Sequence, residues 1–348
     1  MRAARILIIG NYGAGNLGDD AIFAGISTEL REAGFSGEIS VLHGGFESSM
    51  DLYGGIRKSA FVPAGLLSLM KSTRREGLEA IKNADLVILG GGGLFTDEES
   101  ERAPMIWATQ VEPCIRLKKP FICYGQSVGP LKEPNAKKLT KKVFNAAAAI
   151  HVRDQASREE LMKLGVEKVI TVGTDPAFSW LKTLPKRRNN GNRLAVSLRF
   201  WTGVNTRTWK PLLKEIKEWA SAQGLEPELI AMDLRSSLEN KMLESTGLKV
   251  NYPQSAREAF EFFQNSRLAV NMRLHASIFS TMAGTPTVIL SYSQKVEGLF
   301  KSLGHKTWNL NEVQIKEALQ ESQDQKISDP SVLTKKNLDF LKSILAQS

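Results

Sequence analysis

Residues 5–34, RILIIGNYGAGNLGDDAIFAGISTELREAG, read as a buried strand, a glycine-rich turn and an amphipathic helix. Arg5–Ile9 is an isoleucine and leucine run short enough for a parallel strand, and Ile22, Ile26 and Leu30 recur at helical spacing before Gly34 closes the helix. Gly10, Gly13, Gly15 and Gly18 lie between the two elements, where the absence of a Cβ permits positive φ and lets a ligand approach the backbone. A ligand site is expected at that turn. Gly13-Ala14-Gly15-Asn16-Leu17-Gly18 fits the dinucleotide fingerprint, which also calls for an acidic residue about 20 positions on, after the second strand. That strand, Glu38–Leu42, runs instead into His43-Gly44-Gly45, which argues against a nicotinamide cofactor. A turn that only links strand to helix stays open as the alternative.

The rest of the chain continues the alternation. Strands are expected at Asp85–Leu89, Pro120–Tyr124, Ala149–Val152 and Lys168–Val172, separated by segments long enough for crossover helices. Pro185–Arg193 (PKRRNNGNR) is polar and basic with nothing to bury, and reads as a linker. A second series follows at Arg193–Leu198, Pro227–Met232, Leu248–Tyr252, Arg267–Asn271 and Thr285–Ser291, then helices around Asn311–Ser322 and Val332–Ala346. The expected organisation is an α/β first lobe over 1–184, a linker over 185–193, a second lobe over 194–310, and C-terminal helices over 311–348 packing back on the first lobe.

A chain of 348 residues is about two domains' worth, and 42% hydrophobic content is enough for two ordinary cores. No apolar run approaches the roughly 20 residues of a membrane-spanning helix, and a strand begins almost at the N-terminus without a signal-peptide core, so a cytoplasmic protein is expected. The two cysteines, Cys114 and Cys123, have no metal-binding spacing and read as buried apolar residues. The net charge of +9 is uneven. Arg116, Lys118, Lys119, Lys132, Lys137, Lys138, Lys141 and Lys142 crowd one region, and Lys182, Lys186, Arg187, Arg188 and Arg193 another. Such density suits a phosphorylated small molecule or an anionic membrane surface, or is a solvated helix face. No zinc-finger, RNP or helix-turn-helix pattern accompanies it, so nucleic acid is not expected as a partner.

Open parallel sheets bind ligands beyond the carboxyl ends of their strands, so the residues that follow each strand carry the functional reading. They are Gly90 to Asp97, Tyr124 to Pro130, Arg153-Asp154, Ser197-Leu198-Arg199 and Asn271 to His275. Arg273-Leu274-His275 is the strongest chemically: it lies between a strand and a helix expected over Ala276–Ala283, where free N–H groups and the helix dipole favour an anion. There an arginine grips phosphate or carboxylate, and imidazole is the side chain that exchanges protons near neutral pH. A structural pairing of Arg273 with a carboxylate is the alternative. His43 and His151 are weaker candidates, and His305 reads as a surface or packing residue.

Taken together, Gly10-Asn11-Tyr12-Gly13, Gly15 to Ala21 (GNLGDDA), Gly90 to Asp97, Tyr124 to Pro130 (YGQSVGP), Val152-Arg153-Asp154, Thr174 to Phe178 (TDPAF) and Arg273-Leu274-His275 resemble the polysaccharide pyruvyltransferase family over nearly the whole chain. The likeness is strongest to the type that ketal-pyruvylates an amino sugar of a cell-wall polymer precursor, of the kind that anchors surface layers. Tyr292-Ser293-Gln294-Lys295-Val296 departs from it, since related sequences carry Asp-Pro before the lysine.

The resemblance implies a glycosyltransferase-B-like fold, two Rossmann-like lobes facing a central cleft. It implies phosphoenolpyruvate as co-substrate, with no metal and no other cofactor. Arg153, Arg199, Arg273 and Lys295 would bind this dianionic donor, His275 would act as acid/base beside Arg273, and Asn16, Asp19, Asp20, Gly92 and Gln126 would bind the acceptor. The acceptor implied is an N-acetylhexosamine such as N-acetylmannosamine, lipid-linked, at the inner membrane face. Phe61–Met70 beside Lys58, Lys71, Arg74 and Arg75 would then touch the membrane, unless it is a core helix. Two other readings are kept open: a nucleotide-sugar glycosyltransferase of the same fold, and a non-catalytic carbohydrate-binding partner of an export system.

Overall fold

The computed structural model describes residues 5–63, 74–98, 100–186, 191–200, 206–291, 294–324 and 330–347. The chain divides into two compact units, the first comprising 1–15, 19–180 and 331–348 and the second 16–18 and 181–330. Of the expected linker, residues 187–190 lie outside the described residues.

The first unit is built on a parallel sheet of β1 (Arg5–Ile9), β2 (Glu38–Leu42), β3 (Arg57–Ser59), β4 (Leu86–Leu89), β5 (Gly92–Phe95), β6 (Phe121–Val128), β7 (Ile150–Val152) and β8 (Ile170–Val172). Its order is β3-β2-β1-β4-β6-β7-β8, with β5 added beside β6. Ile8 pairs with Val41 on one side and Ile88 on the other. The central strands are continuous apolar runs because helices cover both faces, and Leu7, Ile8, Val87, Ile88 and Leu89 are completely buried. Each such side chain contributes roughly 1.5–3 kcal/mol relative to exposure, so β1 and β4 fix the centre of the sheet.

The helix Leu17–Glu32 follows β1 and buries Ile22, Ile26 and Leu30, the residues whose spacing announces it. Glu29 on the same helix is also fully buried. Its carboxylate accepts from Tyr124 Oη at 2.8 Å, Ser179 Oγ at 2.7 Å and Asn337 Nδ2 at 2.8 Å. Asn337 belongs to the C-terminal helix Ser331–Leu345, which is part of this unit, and it also exchanges hydrogen bonds with Thr174 N and O.

The second unit repeats the architecture with β9 (Arg193–Ser197), β10 (Glu226–Ile230), β11 (Val250–Asn251), β12 (Leu268–Asn271), β13 (Thr287–Ser291) and β14 (Trp308–Asn309), in the order β11-β10-β9-β12-β13-β14. Its core gathers Leu194, Val196, Ile216, Leu229, Val270, Val288 and Leu319.

Two local differences from the sequence reading bear on function. The strand expected to end at Tyr124 runs on to Val128, and the glycine-rich Gly92–Phe95 forms a strand against it, with Gly92 opposite Gln126 and Phe95 opposite Val128. The helix expected from Ala276 starts at Leu274, which makes Arg273 its N-cap residue and places His275 in its first turn.

Candidate functional site

In each sheet the strand order reverses once near its centre, between β1 and β4 in the first unit and between β9 and β12 in the second. Chains leaving adjacent strands on opposite faces open a crevice there, the usual ligand position in this architecture.

At the first reversal the turn after β1 meets the loop after β4. Gly13 sits at φ +59°, a conformation that favours glycine, and its N–H donates to Asp20 Oδ1 at 2.9 Å. Asp20 also accepts from Tyr53 Oη at 2.6 Å and Ser48 Oγ at 3.1 Å, and it is fully buried. Burial raises its carboxyl above the ordinary aspartate value, against the lowering effect of these donors. Asp20 therefore holds the glycine turn in shape. Its neighbour Asp19 points elsewhere: Oδ2 accepts from Asn11 Nδ2 at 2.7 Å, and Oδ1 stands 3.4 Å from where a Cβ on Gly92 would lie. Of the residues expected to bind the acceptor, Asp19 and Gly92 thus stand side by side. Gln126 is fully buried and donates from Nε2 to the carbonyls of Leu89 and Gly90, bracing the loop that carries Gly92.

Arg153 is nearly buried and gives Nη1 to Asp175 Oδ2 at 2.7 Å, with Asp154 Oδ2 at 3.7 Å from Nε. Asp154 in turn caps the helix Gln155–Lys163 by accepting from Ser157 N. The motif residues Arg153, Asp154 and Asp175 therefore form one buried charged cluster at the ends of β7 and β8. His151 lies deeper, stacked at 4.6 Å on Tyr124 and 5.1 Å from Phe340. Burial lowers its pKa to about 3, so it is neutral and packs the core. His43 accepts from Gly45 N through Nδ1 and meets the Tyr53 ring edge-on, a loop-holding role. His305 is buried edge-on against Phe300.

The second reversal assembles different chemistry. The tripeptide Asn16–Gly18 groups with this unit: Leu17 N donates to Met232 O at 3.0 Å, and Asn16 bridges Asp233 in the loop after β10. Asn16 Oδ1 accepts from Gly18 N at 3.0 Å, so this side chain shapes the tripeptide. Gly18 packs directly on His275, where a Cβ would come within 2.2 Å of Nδ1. Glycine is required at that point by the imidazole's position. A Gly18→Ala variant is expected to displace the His275 ring while the helix holds, since alanine favours a helix over glycine by about 1 kcal/mol. Tm and the crystal structure of the variant check this, and an unmoved imidazole would show that the ring does not require glycine there.

Arg273, half-buried, directs Nη2 to both oxygens of Glu239 at 2.5 Å. Among the described residues its Nε–H, together with Ser197 Oγ at the end of β9 and Asn271 Oδ1 at the end of β12, is buried without a partner. A buried donor or acceptor left unmade costs about 1–3 kcal/mol, so the unit concentrates unsatisfied polar atoms at its sheet reversal, where a polar ligand would complete them. Arg199 follows β9 and is half-buried. Lys295 falls in the helix Gln294–Ser302, but its side chain lies outside the described residues. Tyr292 and Ser293 are outside them as well.

The remaining expectations are placed as follows. Cys114 and Cys123 are buried, and burial pushes the Cys114 thiol up to about 12. Lys119 is committed to the carbonyls of Lys82 and Ala84, Lys142 pairs with Glu112, and Arg193 pairs with Glu228. Lys137, Lys138 and Lys141 are solvent-exposed. In the stretch expected at a membrane, Phe61 packs on Trp107 and Val62 is core, while residues 64–70 lie outside the described residues. Among the described residues no helix is long and apolar enough to cross a membrane, and no group of three or more His, Cys, Asp or Glu is placed to hold a metal ion.

The family model described as polysaccharide pyruvyl transferase matches residues 16–294. The chain belongs to that family. A relative by sequence is the amylovoran biosynthesis protein AmsJ of Erwinia amylovora, 26% identical over an alignment that covers 86% of each chain. Among solved structures, the UDP-GlcNAc 2-epimerase of Methanocaldococcus jannaschii matches with TM-score 0.65 at 13% identity, covering 99% of this chain and 100% of the other. A putative UDP-N-acetylglucosamine 2-epimerase from Listeria monocytogenes matches with TM-score 0.63 at 13% identity, over 98% of this chain and 91% of that one. At such identities these two show the fold alone. The chain therefore has two Rossmann-like units of the glycosyltransferase-B-like fold.

Proposed function

We propose that this pyruvyl transferase takes the pyruvate of phosphoenolpyruvate to two hydroxyls of a sugar, making a cyclic ketal and releasing phosphate. The observation that carries the reading is the pairing of Arg273, at the N-cap of the helix Leu274–Met282, with His275 in its first turn. A cation and a proton-exchanging side chain share one helix N-terminus, where an anion is favoured.

In this reading Arg273, with Arg199 and Lys295, binds the carboxylate and phosphate of the donor, while Arg153 is held in its buried cluster with Asp175. His275 gives a proton to the methylene carbon, leaving an oxocarbenium-like centre at C2. A sugar hydroxyl adds there and returns its proton to His275. The C2–O bond to phosphate then breaks, the second hydroxyl closes the ring, and its proton leaves with the phosphate. Asp19 and Gly92 serve the sugar side, where short polar groups bind hydroxyls without requiring a counter-charge, while Asn16, Asp20 and Gln126 hold the backbone around them. The acceptor is read as an N-acetylhexosamine of a lipid-linked polysaccharide precursor at the inner membrane face. Support comes from the family match and from a relative named for amylovoran biosynthesis.

The test is incubation of the protein with phosphoenolpyruvate and a panel of free and lipid-linked N-acetylhexosamines. Phosphate release together with a product heavier by one pyruvate ketal is expected. Consumption of a nucleotide sugar, with phosphoenolpyruvate left intact across the panel, would overturn the reading.

A further inference from the structure

We infer that Glu239 is a positioning residue that sets the orientation of Arg273 toward the anionic donor, an inference that rests on the donor reading above. Glu239 stands at the third position of the helix Ser237–Glu244, whose N-cap Ser236 accepts from Glu239 N. A Ser-x-x-Glu start is the pattern of a capping box, in which the glutamate turns back to the cap's own N–H. Here it does not. Both of its oxygens accept from Arg273 Nη2, across a sequence separation of 34 residues, and its side chain is only 5% exposed.

The geometry gives this contact a consequence beyond packing. A guanidinium carries five N–H donors in a fixed plane, so holding Nη2 fixes where the others point. Glu239 takes one nitrogen, and among the described residues Nε–H is buried without a partner, as are Ser197 Oγ at the end of β9 and Asn271 Oδ1 at the end of β12. A bidentate pairing would occupy two of the guanidinium nitrogens. Contact through a single nitrogen restrains the plane and keeps the rest of the fork for a ligand's oxygens. The arrangement also explains why the residue comes from the loop and helix after β10: that strand neighbours β9 in the sheet, so its carboxyl end opens toward the same reversal point.

The experiment is a double-mutant cycle on kcat/KM for phosphoenolpyruvate, with Glu239→Ala, Arg273→Ala and the pair. Displacing a substrate-holding group by about 1 Å costs about 10²-fold, so Glu239→Ala is expected to lose about that factor in the wild-type background. In the Arg273→Ala background it is expected to change little, because nothing is left to position. Losses that multiply, or a Glu239→Ala protein with wild-type kinetics, would overturn the inference. Glu239→Gln keeps the helix start and the volume; it is expected to retain part of the activity, and it replaces the alanine variant in the cycle if that variant does not fold. Should the wild-type protein leave phosphoenolpyruvate untouched with every acceptor, the donor reading fails by itself. The same cycle is then read on the Kd for inorganic phosphate, with strong coupling supporting Glu239 and additivity overturning it.

Discussion

Replacing His275 with glutamine is expected to lower kcat by about 10²–10⁴-fold while the affinity for phosphoenolpyruvate survives. Glutamine approximates the size and hydrogen-bonding reach of histidine but exchanges no proton between pH 5 and 8. The site is suited to separating the two effects. His275 lies in the first turn of its helix, while the guanidinium to which the proposed function gives the donor belongs to the N-cap residue Arg273, which pairs separately with Glu239. Loss of the imidazole therefore removes the proton path without loosening the cation. The measurement is kcat beside donor Kd in one preparation. A loss below about tenfold with normal binding would leave His275 a positioning group and send the search for the acid elsewhere.

How far the sequence carries the reader depends on the range of the interaction. Strands β1 and β2 are legible to the residue as Arg5–Ile9 and Glu38–Leu42, and the remaining strands expected from apolar runs are found with shifted ends, because buried parallel strands announce themselves locally. Strand β5 was not legible: Gly92 and Gly93 suppress any strand pattern, and it is the neighbouring β6 that holds the segment extended. Arg273 and His275 were visible from their place after an apolar strand. Glu239 was not, since Ser236-x-x-Glu239 has the same pattern as an ordinary helix cap, and only the fold brings Arg273 to it. Asp19 and Asp20 are adjacent and chemically identical, yet one joins Asn11 beside Gly92 and the other closes the glycine turn, a division set by which face of the helix each occupies. Glu29 is the clearest case of missing signal. On a helical wheel it is one more acid, and its three partners lie 95, 150 and 308 residues away.

That buried carboxyl gives the protein an expected pH signature. Burial raises Glu29 from the ordinary 4.5 to about 7, outweighing the lowering effect of hydrogen bonds from Ser179, Asn337 and Tyr124. A folded-state value above the unfolded one means that the contribution to stability is complete below pH 4.5 and is lost as pH rises through about 7. At 1.36 kcal/mol per pH unit, the loss over that window is about 3 kcal/mol. His151, close by on β7, works in the opposite sense. Burial depresses it from 6.5 to about 3, so its contribution is complete above pH 6.5 and is lost as pH falls through about 3. Between roughly pH 4.5 and 6.5 the two slopes offset one another, since the folded protein keeps one proton on Glu29 and lacks one on His151 relative to the unfolded chain. Glu29→Gln removes one side of that balance. The variant is expected to gain about 3 kcal/mol relative to the wild type between pH 4 and pH 8, whatever the offset at pH 4, and its own stability should climb steadily from pH 3 to 6.5. Urea unfolding of both proteins across this range is the measurement. A difference between them that stays constant with pH would mean that Glu29 is ionised in the folded protein much as in the unfolded chain, and that its three donors rather than its burial set its charge.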